Sequence, residues 1–555
     1  MHKYLPPFDQ PHVVDVARSR GVLGSDEAFA EGIQRVATAL ATIDAKISGT
    51  FDDEFYTGLV EAMTAGRTFP SSQLFSAAGN SNSVAACTVL QPSGASDPAK
   101  IRSFVSQAVA AAQEGMGTGI DISSVDEPVQ VLLDINSAMR VVHLALRAQQ
   151  LRPPALMVTC DIDHPKIAEF INAKAYADLT EWVINISVKV NDDERHWHRL
   201  LPLIAASARR NGEPGVLFQY RADRDNPTPE YKLQSTAPCA EAFMAANERC
   251  VFMTVNLDAH VTDGRFSFEE FAASSALAVR AADAAVELAA AGADLVVPRR
   301  RRIGVGVCGF HSALIDLGVP YAASLEFANA VSETLVFAAH RASAELARQR
   351  GPFPAWIGSR WRDPSWVERK ACLRHGAIDK AEWNNLARMM LRSGVRNATI
   401  VAFPPTGVVS ELLGVSRSYE PHFTLVGRTR ATATAPVRII PEIEAILDSL
   451  GGEGARRQIL HPASGHQLPG VDSGHLVACA RQLPASLHLA IHAAFSVLAD
   501  EAGSKTVNMP HDASVHDIAC LFEEARHLGL KGVTVFRDGC LDDRPDEFQK
   551  SEDVA

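Results

Sequence analysis

Beyond Phe69 the chain alternates two textures, and this alternation constrains its fold more than any other feature. Short β-type runs such as Ala86-Cys87-Thr88-Val89-Leu90, Ala155-Leu156-Met157-Val158-Thr159 and Val183-Ile184-Asn185-Ile186-Ser187-Val188 are separated by longer stretches of helical periodicity, including residues 101–113 and 132–148. Strands alternating with helices predict an α/β architecture. Before Phe69, apolar residues recur at helical spacing (Phe29, Ile33, Val36, Leu40, Ile43), so residues 1–68 are expected to form a helical N-terminal region. Residues 271–291, rich in Ala with spaced Leu and Val, predict a further helix. No heptad array or short repeat points to a coiled coil or solenoid.

Composition narrows the function. A formal charge of −12 gives little reason to expect a nucleic-acid partner, because such affinity rests on neutralising phosphates with Lys and Arg. The run Arg299-Arg300-Arg301-Arg302 is the local exception, either a solvated face or a phosphate contact. The opening Met1-His2-Lys3-Tyr4-Leu5-Pro6-Pro7 carries no signal-peptide or membrane-spanning pattern, so a cytoplasmic protein without a membrane partner is expected. The 9 cysteines are scattered without a CxxC spacing, which suggests neither a metal site nor a disulfide framework. Each is by default a small buried hydrophobe, and Cys308 falls on a predicted helix and reads as packing. His164, before a proline, reads as a structural hydrogen-bonding residue. Residues 541–555 are acidic and poor in apolar side chains, and a flexible tail is expected there.

One segment carries chemistry. In Ser235-Thr236-Ala237-Pro238-Cys239-Ala240-Glu241-Ala242 a proline discourages regular helix and a cysteine stands two residues before a carboxylate. In an extended loop, residues two apart face the same way, so thiol and carboxylate can share one cavity. Together they could take a hydrogen atom from a substrate carbon and a proton from its hydroxyl.

That loop resembles the Asn-x-Cys-x-Glu finger loop of ribonucleotide reductases, and further segments follow in that family's order. They include residues 113–123 with Gly115, Gly117 and Gly119, residues 161–171 followed by Asn185-Ile186-Ser187-Val188, and Arg302-Ile303-Gly304-Val305-Gly306. Pro405-Thr406-Gly407-Val408-Val409-Ser410, Glu420-Pro421, residues 504–510 and residues 529–539 complete the series. The glycines at 115, 117 and 119 do not have the GxGxxG spacing of dinucleotide binding. The resemblance implies a ten-stranded α/β barrel over residues 69–540, of two parallel five-stranded halves around a central finger loop. It implies that Cys239 becomes a thiyl radical, that Glu241 is the base, and that Cys87 and Cys250 are the reductant pair. It places Ala86, Ala237, Thr406, Gly407 and Ser410 at the substrate, the last three in a loop offering donors to nucleotide phosphates.

Where reductases with a separate radical-generating subunit carry two adjacent tyrosines, this chain has Thr534 and Val535. The wording Gly529-Leu530-Lys531-Gly532-Val533-Thr534-Val535-Phe536-Arg537 instead resembles class II enzymes, which implies adenosylcobalamin as cofactor, a nucleotide substrate and an external thiol reductant, thioredoxin-like or small. The resemblance also allows a homodimer. The chain departs from the family at Ala237, where the finger loop has Asn, at Ala86, where a Ser often stands, and near Cys540, which lacks a second C-terminal cysteine. Two alternatives stay open. One is a redox-neutral radical epimerisation or dehydration of a nucleotide or nucleotide-like sugar in specialised metabolism, which would need no thiol reductant. The other is a non-catalytic nucleotide-binding paralogue, against which the retention of both Cys239 and Glu241 argues.

Overall fold

Three helices come first, α1 (Pro11–Ser19), α2 (Phe29–Ser48) and α3 (Asp53–Thr64). The first turn of α2 is closed by Glu31, which accepts the Ala28 N–H, and the helix ends at Gly49 in the left-handed region (φ 89°), where a side chain would be strained. These helices bury Val13, Val16, Leu40 and Leu59 in one apolar core with the helices Phe268–Ala290 and Leu325–Arg350. The computed structural model describes residues 4–80, 83–92, 97–148, 155–175, 181–290, 296–428 and 437–540, so the tail expected at 541–555 lies outside the described residues.

A short strand, β1 (Thr68–Pro70), precedes β2 (Cys87–Leu90), β3 (Gly117–Asp121), β4 (Leu156–Asp161), β5 (Asn185–Val190) and β6 (Gly215–Phe218). From β2 to β6 each strand pairs in parallel with the next, as α/β crossovers require. Side chains alternate across the sheet. Ile120, Val158, Ile186, Val188, Val216 and Phe218 enter a second apolar core beneath the helices, whereas Gly117, Gly119, Thr159 and Lys189 contact residues 234–238 on the inner face.

Next come a hairpin of β7 (Ser235–Thr236) and β8 (Phe243–Met244), then β9 (Arg249–Cys250) antiparallel to β2, and β10 (Phe252–Asn256). A small hairpin, β11 (Val261–Thr262) and β12 (Arg265–Phe266), leads on to β13 (Gly304–Cys308), which pairs in parallel with β10, while β1 lies antiparallel on β10's other side. After the hairpin β14 (Val426–Arg428) and β15 (Val437–Ile439), β16 (Thr506–Met509) pairs in parallel with β17 (Gly532–Arg537), and β17 joins β6 antiparallel. The result is an 8-stranded sheet beside a 3-stranded one. Parallel bridges Val305–Val401 and Phe403–Gly503 lead from β13 toward β16.

Two sequence expectations are corrected. Cys308 ends strand β13 instead of lying on a helix; Val305 and Val307, alternating with Gly304 and Gly306, suit a buried parallel strand. The arginine run is neither a solvated face nor a phosphate contact at Arg300, Arg301 and Arg302. All three are buried and paired, Arg300 and Arg302 with Glu248, Arg301 with Asp283. Among the described residues one helix, Pro128–Leu146, is long and apolar enough to cross a membrane. Here it lies along the parallel sheet, with Val131, Leu132, Ile135, Met139 and Val142 in the core at helical spacing.

Candidate functional site

The hairpin β7–β8 rests on the inner face of the parallel sheet, and two glycines make room for it. A Cβ at Gly119 would lie 1.8 Å from the Thr236 carbonyl oxygen, and one at Gly117 would lie 3.1 Å from Pro238 Cγ and 3.2 Å from Cys87 Sγ. Backbone and thiol can approach only because these residues lack side chains. The Thr159 and Ser235 hydroxyls bond at 3.0 Å, and Lys189 Nζ, paired with Asp121 and Asp161, donates to the Gln234 carbonyl at 3.0 Å. At the tip Ala237 N–H donates to Ala242 O at 2.8 Å and Ala240 N–H to Ala237 O at 2.9 Å, with Ala240 in the left-handed region (φ 64°). This turn carries Cys239 and Glu241.

The four residues singled out for chemistry are brought together. Cys87 Sγ is 4.0 Å from Glu241 Oε1, and Cys87 is paired in register with Cys250 across β2 and β9. Directly opposite residues of an antiparallel pair lie about 4.5–5.5 Å apart at Cα, a separation a disulfide can bridge. Both thiols are held up from their ordinary range, first by burial and, for Cys87, next by the Glu241 charge. Glu241 is 3% exposed, and its Oε2 has no hydrogen-bond partner among the described residues. Burial pushes its carboxyl up to about 7.

This displacement makes a stability prediction. Between the usual carboxylate range and pH 7 the folded chain keeps a proton that the unfolded chain has lost, so Glu241 makes stability fall as pH rises through that window. Glu241→Gln removes the effect. Urea denaturation at pH 8 is expected to find the variant more stable than the wild type by up to about 3 kcal/mol, with the gap closing near pH 4. A variant less stable at both pH values would contradict this account of the carboxyl.

Cys239 is partly exposed on the wall of a cavity of about 580 Å³. The lining includes Ser410, Arg417, His422, Ser504 and Asn508, and it continues outward to Pro7, Gln10, His12 and the exposed Arg438. Thr406 caps the helix Gly407–Leu413 with φ 55°. Its hydroxyl accepts the Ser418 N–H at 2.8 Å and bonds Ser410 Oγ at 2.9 Å, so it is engaged within the loop. Ala237 is fully buried in an apolar cluster with Cys87, Val89, Ala242 and Met244, and the half-buried Ala86 donates its N–H to Cys250 O at 2.9 Å. His164 bonds the Val125 carbonyl at 2.9 Å and accepts the Lys166 N–H, both backbone contacts. Among the described residues no group of three or more His, Cys, Asp or Glu could hold a metal ion.

Sequence reading missed the charged residues that grip the hairpin. Phe243 N–H donates to Glu501 Oε2 at 3.1 Å and Ala245 N–H to Glu248 Oε2 at 3.0 Å, and Arg302 pairs with both carboxylates. The available signal was the arginine run itself. Its acidic partners at 248 and 501 are too distant in sequence to be matched to it without the fold.

Comparison with known proteins identifies the family. The family described as "Ribonucleotide reductase, barrel domain" matches residues 188–536, a span that contains Cys239, Glu241 and Cys250 but not Cys87. A vitamin B12-dependent ribonucleoside-diphosphate reductase of Mycobacterium tuberculosis is 27% identical over 449 residues, covering 74% of this chain and 60% of the relative. One of Thermoplasma acidophilum is 28% identical over 423 residues, covering 70% and 51%. A vitamin B12-dependent ribonucleotide reductase of Rhodopirellula baltica is 24% identical over 535 residues, covering 80% and 51%. The chain therefore spans between half and three-fifths of the length of these curated relatives.

Proposed function

The chain belongs to the ribonucleotide reductase family through its barrel domain, and from that membership we propose that it reduces a ribonucleotide to the 2'-deoxyribonucleotide, with adenosylcobalamin as the radical source. The observation that carries this reading is the meeting of Cys239, Glu241, Cys87 and Cys250 beside one cavity. In the same reading, β2–β6 form one half of a ten-stranded barrel, and β10, β13, residues 400–403, residues 503–509 and β17 form the other. The parallel bridges from Val305 to Val401 and from Phe403 to Gly503 support it.

The cavity suits the cofactor's task, because its lining runs from the partly exposed Cys239 out to Gln10, His12 and Arg438, the residues that would hold the cofactor. When bound, adenosylcobalamin supplies a carbon-centred radical by homolysis of its cobalt–carbon bond. Cys239 gives up its hydrogen atom and then takes the 3' hydrogen of the substrate. Glu241 accepts the 3'-hydroxyl proton, a task suited to a carboxyl poised near neutrality. Cys87 and Cys250 supply two electrons and two protons as the 2'-hydroxyl departs as water, and they end as a disulfide. The hydrogen returns to C3', and an external thiol, thioredoxin-like or small, reduces the disulfide. Gly407, first residue of its helix, offers its N–H to the substrate phosphates, and Thr406 and Ser410, whose hydroxyls bond each other, hold that turn beside the substrate. Ala86 and Ala237 line the reductant side with methyl groups.

A single-turnover experiment tests this assignment. Reduced protein given cofactor and substrate anaerobically, without thiol, is expected to form one equivalent of product or less together with a Cys87–Cys250 disulfide, read by peptide mass spectrometry. Ala237, which places a methyl in an apolar cluster where the family has an amide, favours a second reading as a redox-neutral radical enzyme. In that case many turnovers accumulate with both thiols still reduced.

For the assembly, we read Leu133, Val141 and Leu144 on the helix Pro128–Ala148 as the contact with a second copy; they are 41, 68 and 65% exposed, more apolar surface than a solvated helix face usually keeps. Sedimentation velocity is expected to show a dimer that Val141→Lys with Leu144→Lys converts to monomer. A wild type that stays monomeric at high concentration would overturn this reading.

A further inference from the structure

The hairpin tip has little that fixes it from its own sequence. Its two strands share only the register pairs Ser235–Met244 and Thr236–Phe243. Yet Glu241 must stand beside Cys87 with its carboxyl shut from water. The return side of the hairpin is held by partners outside it. Glu501 takes the Phe243 N–H at 3.1 Å, Glu248 takes the Ala245 N–H at 3.0 Å, and the Glu241 carbonyl itself accepts the Ala502 N–H at 3.0 Å. The Glu248 and Glu501 carboxylates, 0% and 5% exposed at their side chains, would repel each other without a cation between them.

Arg302 is that cation. Its side chain is 2% exposed, its Nε is 2.9 Å from Glu248 Oε1, and its Nη1 pairs with Glu501. Arg300 balances the remaining charge on Glu248, and Lys531 Nζ holds the carbonyls of Asp500 and Glu501 at 2.8 Å each. These contacts are ion pairs and not hydrogen bonds, and a guanidinium spans two separated carboxylates with different nitrogens where an ammonium presents one point charge.

We propose that Arg302 is a positioning residue for the finger hairpin: by bridging Glu248 and Glu501 it fixes the acceptors of the Phe243 and Ala245 N–H groups and so sets where the Glu241 carboxyl meets Cys87. The same guanidinium lies close enough to Cys250 to oppose the effect of burial on that thiol. One residue thus links the base and the thiol pair. The inference rests on the reductase reading for its chemistry, but its geometry can be tested without turnover.

The test compares wild type, Arg302→Lys, Arg302→Met and Glu501→Gln. The first readout is the rate at which diamide, which accepts two electrons and two protons, converts Cys87 and Cys250 to a disulfide, measured against pH by peptide mass spectrometry. The second is the pH midpoint of product formation with cofactor and substrate. Arg302→Lys is expected to slow disulfide formation at least tenfold and to shift the pH midpoint, with KM changed less than twofold, and Arg302→Met is expected to be slower still. Glu501→Gln keeps an acceptor for Phe243 but loses the pairing with Arg302, so it is expected to show the same shift in smaller degree, which keeps the proposal testable should the arginine variants not fold. Wild-type disulfide kinetics and pH midpoint in Arg302→Lys, or in Glu501→Gln if only that variant folds, would overturn the proposal. If the wild type forms the disulfide but no product with any nucleotide, the reductase reading fails while the disulfide comparison still decides the role of Arg302.

Discussion

Cys239→Ala is expected to abolish product formation, by a factor on the order of 10⁴–10⁶, as loss of an enzyme nucleophile does elsewhere. The expectation follows from position as well as chemistry. Cys239 is the member of the four-residue group on the cavity wall, whereas Cys87, Cys250 and Glu241 are buried behind it. A group entering the cavity therefore meets Cys239 first, and no second thiol lines the same cavity among the described residues. The variant should fold normally, because replacing a partly exposed thiol with a methyl leaves the contacts of Ala237 and Ala240 in place. Chromatography of nucleotide products against a wild-type control checks it. Residual product above about one part in a thousand of the wild-type rate would place the radical on another residue.

The second large effect is expected at Glu241. Glu241→Gln removes the proposed base but keeps the shape of the side chain, and product formation should fall by about 10²–10⁴. The pH dependence separates this from loss of packing. With its carboxyl pushed up to about 7, Glu241 is protonated below that pH and able to accept a proton above it, so the wild-type rate should climb through pH 7 and level off. The residual rate of Glu241→Gln should lack that rising limb. A variant with wild-type pH dependence would assign the limb to another group. The same substitution should stabilise the folded protein at pH 8, so activity and stability are expected to move in opposite directions. That pattern is common where a buried ionisable group is retained for function.

Some of this was legible in the sequence for identifiable reasons. The closeness of Cys239 and Glu241 was legible from their spacing, but the extended loop and shared cavity expected there are not what forms: the segment is a turn with Ala240 in the left-handed region, and Cys239 lines the cavity while Glu241 is buried behind it. Cys87 and Cys250 lie in short apolar runs that form strands, although nothing in those runs states that the two strands are neighbours. The glycines at 117 and 119 could be excluded as a dinucleotide motif, but their purpose is visible only once Thr236 and Pro238 are seen against them. The arginine run misled because a string of like charges reads as solvated unless its counter-charges are known. Here they come from positions 248, 283 and 501. Cys308 misled because Gly304 and Gly306 weaken a strand pattern, and their need arises from the Phe252 ring, which a Cβ at Gly304 would meet at 2.4 Å, and from the Ala402 carbonyl, which one at Gly306 would meet at 2.4 Å. Local propensity carries the alternation of elements. Close approaches between distant segments are set by tertiary packing.

The most direct test of the account is anaerobic incubation of the reduced protein with adenosylcobalamin, dithiothreitol and each common nucleoside di- and triphosphate in turn, with the products weighed by mass spectrometry. The account predicts, for at least one nucleotide, a product lighter by one oxygen that depends on both cofactor and thiol and is absent with Cys239→Ala. Failure to remove oxygen from any of them, or a product that forms equally well without thiol, would contradict it.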